Sequence, residues 1–342
     1  YKRQALARAH LLATLGSTDE ALVLFEKLAT SPDTGVAEEA RLLHASLLLD
    51  NNDAAAATAV LDGLAPARPS LQKRLTYLRA RLASDAGQHE DAAALFSQLA
   101  KDPQHLNLPL HHSSIIGEAD ALHALDRNDE AVELLFGLVE DRPDTPLLDA
   151  VFARLTDWGT ANDTLTELLV NRLQAWSGPA AAASFPELLA TGDPVATSLA
   201  ANVPAPPHLD LAAHASYHRA RVLAEKNDKA SVSFALQLLA RLRLEHAEHE
   251  LAHLSLFETA SLQQAEGRPA EALAALMALG RVTASPDLKA EAARLAGRIR
   301  FDSGEFEEAA AAFALARTYL GKESSELTAM NEALCLLQAG NE

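Results

Sequence analysis

One cysteine in 342 residues, Cys335, excludes an internal disulfide framework. Its place in the apolar run Ala333 to Leu337 marks it as a buried thiol rather than a reactive one. Aromatic residues are scarce, at 5%, while hydrophobic residues reach 49% and alanine fills about one position in five. Small side chains on that scale suit close-packed helices rather than a sheet. No apolar run reaches the ~18 to 20 residues of a membrane span, and no basic-then-apolar leader opens the sequence. Basic residues are outnumbered, 29 against 47 acidic, for a formal charge of −18. That balance opposes polyanionic ligands, which need clustered Lys and Arg, so nucleic acid is not an expected partner. Also missing are a G-x-x-x-x-G-K-[ST] phosphate loop, a dinucleotide fingerprint following a strand, and a G-x-S-x-G elbow around Ser113 and Ser114. The expected fold class is all-α, with no cofactor. The chain starts at Tyr1 already in helical pattern and its last helix stops at Gly340, so both ends look cut from a longer chain. Localisation, cytoplasmic or periplasmic, and oligomeric state stay open.

What the chain does have is a period. A glycine or turn-forming polar residue separates two helical patterns at Gly16, Asn52, Gly87, Asp126, Asn227, Gly267, Gly304 and Gly340, at intervals of 35 to 40 apart from the long step after Asp126. Seven residues before these turns stand Ala9, Ala45, Ala80, Ala119, Ala220, Ala260, Gly297 and Ala333, small in every case, as a close helix crossing requires. Five residues after them come Ala21, Ala57, Ala92, Ala131, Val232, Ala272 and Ala309. Offset nine brings Phe25, Leu61, Phe96, Leu135, Leu236, Leu276 and Phe313, and offset twelve Leu28, Leu64, Leu99, Leu138, Leu239, Leu279 and Ala316. These offsets lie on one face of a 3.6-residue helix, and neither helix of such a pair buries its apolar face alone. Stacking of successive hairpins is therefore obligatory.

The segments Gly16-Ser-Thr-Asp-Glu-Ala21-Leu-Val-Leu-Phe25, Gly87-Gln-His-Glu-Asp-Ala92-Ala-Ala-Leu-Phe96 and Gly304-Glu-Phe-Glu-Glu-Ala309-Ala-Ala-Ala-Phe313 resemble the turn and second helix of tetratricopeptide repeats. Pro32, Pro103, Pro143 and Pro286 fall where that family ends its repeat. The resemblance implies a right-handed α-α superhelix of about nine or ten hairpins that binds a protein or peptide partner on its concave surface. Most first helices lack the family's early large aromatic, and two intervals are long, 39 and 40 residues. The abundant alanine and single cysteine also fit a bacterial source.

Between Asp126 and Asn227, Gly159 and Gly192 keep the period at 33, 33 and 35 residues. Phe152 and Phe185 replace the small residue there, Asn171 and Pro204 break the apolar stripe, and Pro204-Ala-Pro-Pro207 reads as a stiff connector. The expected organisation is regular repeats over 1–143, degenerate repeats and connector over 144–208, and a second set over 209–342, with a break near 203–208.

Three groups of residues invite a functional reading. His249-Glu250-Leu251-Ala252-His253 spells H-E-x-x-H, in which two histidines one helical turn apart hold zinc and the glutamate acts as base. His246 adds a third imidazole on nearly the same face. No strand-like alternation precedes the motif, so a solvated helix face outweighs both a metal site and a zinc hydrolase. His105, His111 and His112 lie in a loop-like segment, Asp102 to Ser114, that would bind metal only unspecifically. Arg8, Arg79 and Arg219 each precede a small packing residue, and Arg298 and Arg300 follow Gly297. Because first helices line the concave face in the family resembled, these arginines form a basic track that would clamp carboxylates of a bound peptide, against the plainer reading of interhelix salt bridges. The function expected is a non-enzymatic interaction scaffold. An alternative is an envelope scaffold for exopolysaccharide secretion or outer-membrane assembly.

Overall fold

The structure, a computed structural model, describes residues 2–160, 163–178, 209–320 and 325–340. Among the described residues are 17 α-helices and no strand. The chain divides into two compact units, Tyr1–Val151 and Phe152–Glu342, at a point inside one helix. The expected break near 203–208, with Phe185, Gly192 and Pro204 to Pro207, lies outside the described residues.

The first unit holds four hairpins: α1 (Lys2–Thr14) with α2 (Thr18–Ala29), α3 (Thr34–Asp50) with α4 (Ala54–Leu61), α5 (Pro69–Asp85) with α6 (His89–Lys101), and α7 (Leu108–Ala124) with α8 (Asn128–Asp141). Helix α9 (Leu148–Gly159) carries the division. The second unit continues with α10 (Asp163–Trp176), α11 (Leu209–Glu225) with α12 (Lys229–Glu245), α13 (Glu250–Ala265) with α14 (Pro269–Arg281), α15 (Pro286–Asp302) with α16 (Phe306–Tyr319), and the last helix α17 (Glu326–Gln338). Within each unit a second helix packs on the first helix of the next hairpin, and successive first helices touch.

The turns follow from backbone chemistry. All eight residues read as turn formers adopt the left-handed conformation, from φ 53° at Asn227 to φ 81° at Gly16. At Gly16, Ser17 N–H donates to Leu12 O at 2.9 Å and Gly16 N–H to Ala13 O at 3.2 Å, which satisfies two carbonyls left open at the helix end. The same pair of bonds recurs after Asn52, Gly87, Asp126, Gly267 and Gly304. Only Gly, Asn and Asp meet this demand cheaply, which is why the period shows in the sequence. A Cβ at Gly87 would touch nothing within 4 Å, so Gly87→Ala tests the backbone alone. It is expected to cost about 1 kcal/mol, and Asp126→Gly to gain about 0.5 kcal/mol, by urea unfolding followed at 222 nm.

The small-large-large stripe forms the core. Ala21, Ala92, Ala272 and Ala309 are buried against Ala9, Ala80, Ala260 and Gly297, and Phe25, Phe96 and Phe313 are buried over them. Three positions depart from the expected pattern. Helix α4 has only eight residues, and Leu64 reaches the core from beyond Gly63, a left-handed residue at φ 64°, because Pro66 forbids another helical turn. In α12 the buried stripe runs Val232, Ala235, Leu238, Leu239 and Leu242, leaving Leu236 half-buried. Ala333 is exposed, since no further helix among the described residues covers α17.

The irregular middle packs differently, as its sequence suggests. Gly159 is the last residue of α9 and not a left-handed turn; a Cβ there would lie 2.6 Å from Leu169 Cδ2, so it is glycine for close packing on α10. Phe152, fully buried, meets Trp176, His214 and His218 at ring distances of 5.8, 5.4 and 5.2 Å.

Candidate partner-binding groove

Stacked hairpins leave a cleft wherever two successive second helices flank a first helix. In the second unit α14 and α16 flank α15, and the resulting groove encloses about 450 Å³. Its floor is Leu276 with Ala292, Ala293, Ala296 and Ala312, the alanines small because α15 must approach both neighbours. Met277 and Leu315 stand at its edges, 56% and 50% exposed. Arg281, Lys289 and Arg300 rim it, and among the described residues no acidic side chain lines it. Arg281 ends α14, where a cation complements the helix dipole, and Arg300 Nη1 donates to Glu308 O at 3.3 Å, which anchors its stem.

The first unit has clefts of the same kind, but acidic side chains line them, Glu118 and Glu133 in one and Asp85 and Asp91 in another. The cleft between α6 and α8 carries the Arg127–Glu130 pair at 2.7 Å. A different groove, across the first helices α1, α3 and α5, holds Arg3, Arg68 and Arg74 beside Asp33 and Glu39. There Arg68 Nη2 donates to Gly35 O at 2.9 Å and to Glu39 Oε2 at 3.3 Å, and burial, partly offset by Glu39, lowers the Arg74 guanidinium below its usual value. In both places the cations already have carboxylates nearby.

The structure does not gather the arginines of the expected basic track. Arg8 and Arg298 are exposed. Arg79 lines a cleft with α4 and α6, and Arg300 the groove between α14 and α16, so both face second helices rather than the stacked first helices. Arg219 corrects the expectation outright. It is fully buried, Nη2 donates to Gln174 Oε1 at 3.0 Å, and its guanidinium carbon lies 5.3 Å from the Phe234 ring centre. Helix α10 covers the face that α1 and α5 leave open, and burial pulls this guanidinium down to about 10. Lys289 and Arg281 escaped the sequence reading because no short motif joins residues on different helices.

The H-E-x-x-H reading also changes. His249 is not helical but caps α13 from extended backbone, φ −77° and ψ 142°, with Nδ1 accepting from Leu251 N–H at 3.1 Å. His253 lies within α13 and His246 caps the C-terminus of α12, so the three imidazoles do not share one helix face. His111 and His112 are helical rather than in a loop: α7 begins at Leu108, His112 is buried against Thr145 Oγ1 at 2.9 Å, and only His105 stays in the connection, at φ 62°.

The tetratricopeptide repeat family model matches residues 83–155, from the end of α5 into α9. No curated protein matches the sequence. Among solved structures, a tetratricopeptide repeat protein from Parabacteroides merdae is 12% identical, with 97% of this chain and 98% of that one covered and a TM-score of 0.46. The apo quorum sensor NprR from B. thuringiensis is 14% identical, over 98% of this chain and 80% of that one, with a TM-score of 0.43. No catalytic family is indicated, and no helix among the described residues is long and apolar enough to cross a membrane. Residues 83–155 match the tetratricopeptide repeat family, and among the described, all-α residues the left-handed turns and small packing positions of that stretch recur from Gly16 to Gly304.

Proposed function

We propose that the chain is a non-catalytic scaffold that holds a protein partner in the groove between α14 and α16. The observation that carries this reading is a groove with an apolar floor whose described lining residues include three cations and no acidic side chain, in a chain of net charge −18. Elsewhere the surplus of carboxylates supplies neighbours for basic side chains, as with Arg68 and Arg127. The complementary occupant is a partner helix or extended segment with two apolar anchors for Met277 and Leu315 and carboxylates toward Arg281 and Lys289. Apolar contacts at the centre supply affinity, and the rim charges set on-rate and orientation.

The test is capture of partners from native lysate by the wild-type chain and by Met277→Asp with Leu315→Asp, quantified by mass spectrometry. The double variant is expected to lose at least about tenfold of the specific partner, as replacement of a central apolar anchor does. Arg281→Ala is expected to lose about threefold, with the loss shrinking at high salt. Arg8→Ala and Arg298→Ala, outside the groove, are expected to change nothing. Equal capture by the double variant, with its helical circular dichroism intact, would overturn the reading.

A further inference from the structure

The H-E-x-x-H motif does not build a site from its own two histidines, but one of them meets other ligating groups. His249, Asp210 and His214 each offer one donor atom, and the three atoms lie within 4.8 Å of one another. Asp210 and His214 stand one turn apart at the start of α11, and His249 arrives from the start of α13, 39 residues later. We propose that these residues form a binding site for a borderline divalent metal ion, zinc foremost, that joins the N-terminal ends of α11 and α13.

Each side chain is held in place before any ion arrives. His214 has only 5% of its side chain exposed and packs against the Phe152 ring, with centres 5.4 Å apart. Its Nδ1 lies 2.9 Å from the Asp210 backbone carbonyl oxygen. The same Nδ1 lies 3.7 Å from Asp210 Oδ1, so it is the nitrogen turned toward the carboxylate, and a metal bound there takes the place of the contact with the carbonyl. Until an ion arrives, that contact fixes the orientation of the ring. The His249 ring stands edge-on to His214, with centres 5.6 Å apart, and its Nε2 is 2.7 Å from Asp210 Oδ1. Asp210 is the open member, with 58% of its side chain exposed, so water can complete the coordination.

Two imidazoles and one carboxylate with an open position suit zinc at bond lengths of about 2.0 to 2.2 Å. A tetrahedral ion at those lengths places its ligands ~3.3 Å apart, which side-chain rotation reaches from the present spacing. Binding has a defined consequence at His249. Its Nδ1 now accepts from Leu251 N–H, so its hydrogen sits on Nε2 and points to Asp210. A metal at Nε2 moves that hydrogen to Nδ1, and the Leu251 amide loses its acceptor. Coordination therefore replaces the cap as the device that fixes the start of α13.

The experiment titrates the full, metal-free chain with zinc by calorimetry, and with Co²⁺ as a spectroscopic stand-in. One zinc per chain is expected, with tetrahedral cobalt bands, a melting temperature raised by several degrees, and faster hydrogen exchange at the Leu251 amide. Asp210→Asn, nearly isosteric and at an exposed position, is expected to weaken zinc at least tenfold, and His249→Gln likewise, while His253→Ala and His246→Ala leave affinity unchanged. Circular dichroism checks each variant. If His249→Gln loses its helical signal, Asp210→Asn alone decides. Absence of zinc binding, or zinc affinity unaltered by Asp210→Asn, overturns the site. So does a loss in His253→Ala equal to that in Asp210→Asn, which would return the metal to the helical motif.

Discussion

Phe96→Ala is expected to destabilise the first unit by about 3 to 5 kcal/mol, and Gly117→Ala, which adds one methyl group opposite the same ring, by about 1 to 2 kcal/mol. The tip of the Phe96 ring lies directly on Gly117: a Cβ there would sit 2.7 Å from Cζ and 2.8 Å from both Cε atoms. The ring has nowhere to retreat. It is buried among Ala80, Ala83, Ala92 and Ala121, with Tyr77 edge-on at 5.7 Å. In an ordinary helix Gly→Ala gains about 0.5 to 1 kcal/mol, so the overlap must outweigh that gain for the sign to reverse. The two changes are therefore coupled. In a Phe96→Leu background, where the ring tip is gone, Gly117→Ala is expected to become stabilising by up to about 1 kcal/mol. Urea unfolding of the four chains of this double-mutant cycle measures the coupling; additivity within ~0.3 kcal/mol would show that the ring does not hold this position.

Acid should loosen the second unit through His218. Burial first, then the nearby charges of Arg221 and His214, depress its imidazole to about 3. Thr156 Oγ1 donates to Phe152 O at 2.8 Å, so it accepts from His218 Nδ1–H at 2.7 Å, and the ring is held neutral. Unfolded, the same imidazole titrates at its ordinary value of 6.5. Between these values the unfolded state binds the extra proton, so the contribution is fully present above pH 6.5. It declines as pH falls toward 3, by a total of about 5 kcal/mol. Melting temperatures of metal-free protein at pH 7, 5.5 and 4.5 should fall more steeply for the wild type than for His218→Gln. Parallel slopes would mean that His218 does not carry the acid sensitivity.

Much of this architecture was legible in the order of residues because its turns depend on backbone chemistry. A left-handed residue at a helix end admits Gly, Asn or Asp, and the chain supplies one at every regular hairpin, from Gly16 to Gly340. The buried stripe was legible for the same reason, since the alanine that admits a neighbouring helix and the Phe or Leu above it keep fixed offsets from the turn. Where two effects compete at one residue, sequence misled. Gly159 keeps the period, but its glycine serves contact with Leu169. Arg219 holds the register of Arg8 and Arg79, yet α10 closes over it. His249 and His253 have helical spacing, but α13 starts one residue too late to place both on it. Both candidate sites depend on residues from different helices: Arg281, Lys289 and Arg300 come from two, and Asp210, His214 and His249 from another two. Such convergence is set by how hairpins stack, which no local spacing encodes.

The neighbour-on-neighbour packing also governs how the chain reaches its native state. In the first unit, the bonds from Arg68 to Gly35 and from His112 to Thr145 close loops of 33 residues. Little entropy is lost in closing so short a loop, so folding there is fast and each hairpin finds its partner soon after it is made. During synthesis the first unit assembles from its N-terminus while later hairpins are still being translated. The second unit waits longer. Its bond from Thr156 to His218 closes 62 residues, so that contact forms only after α11 has left the ribosome.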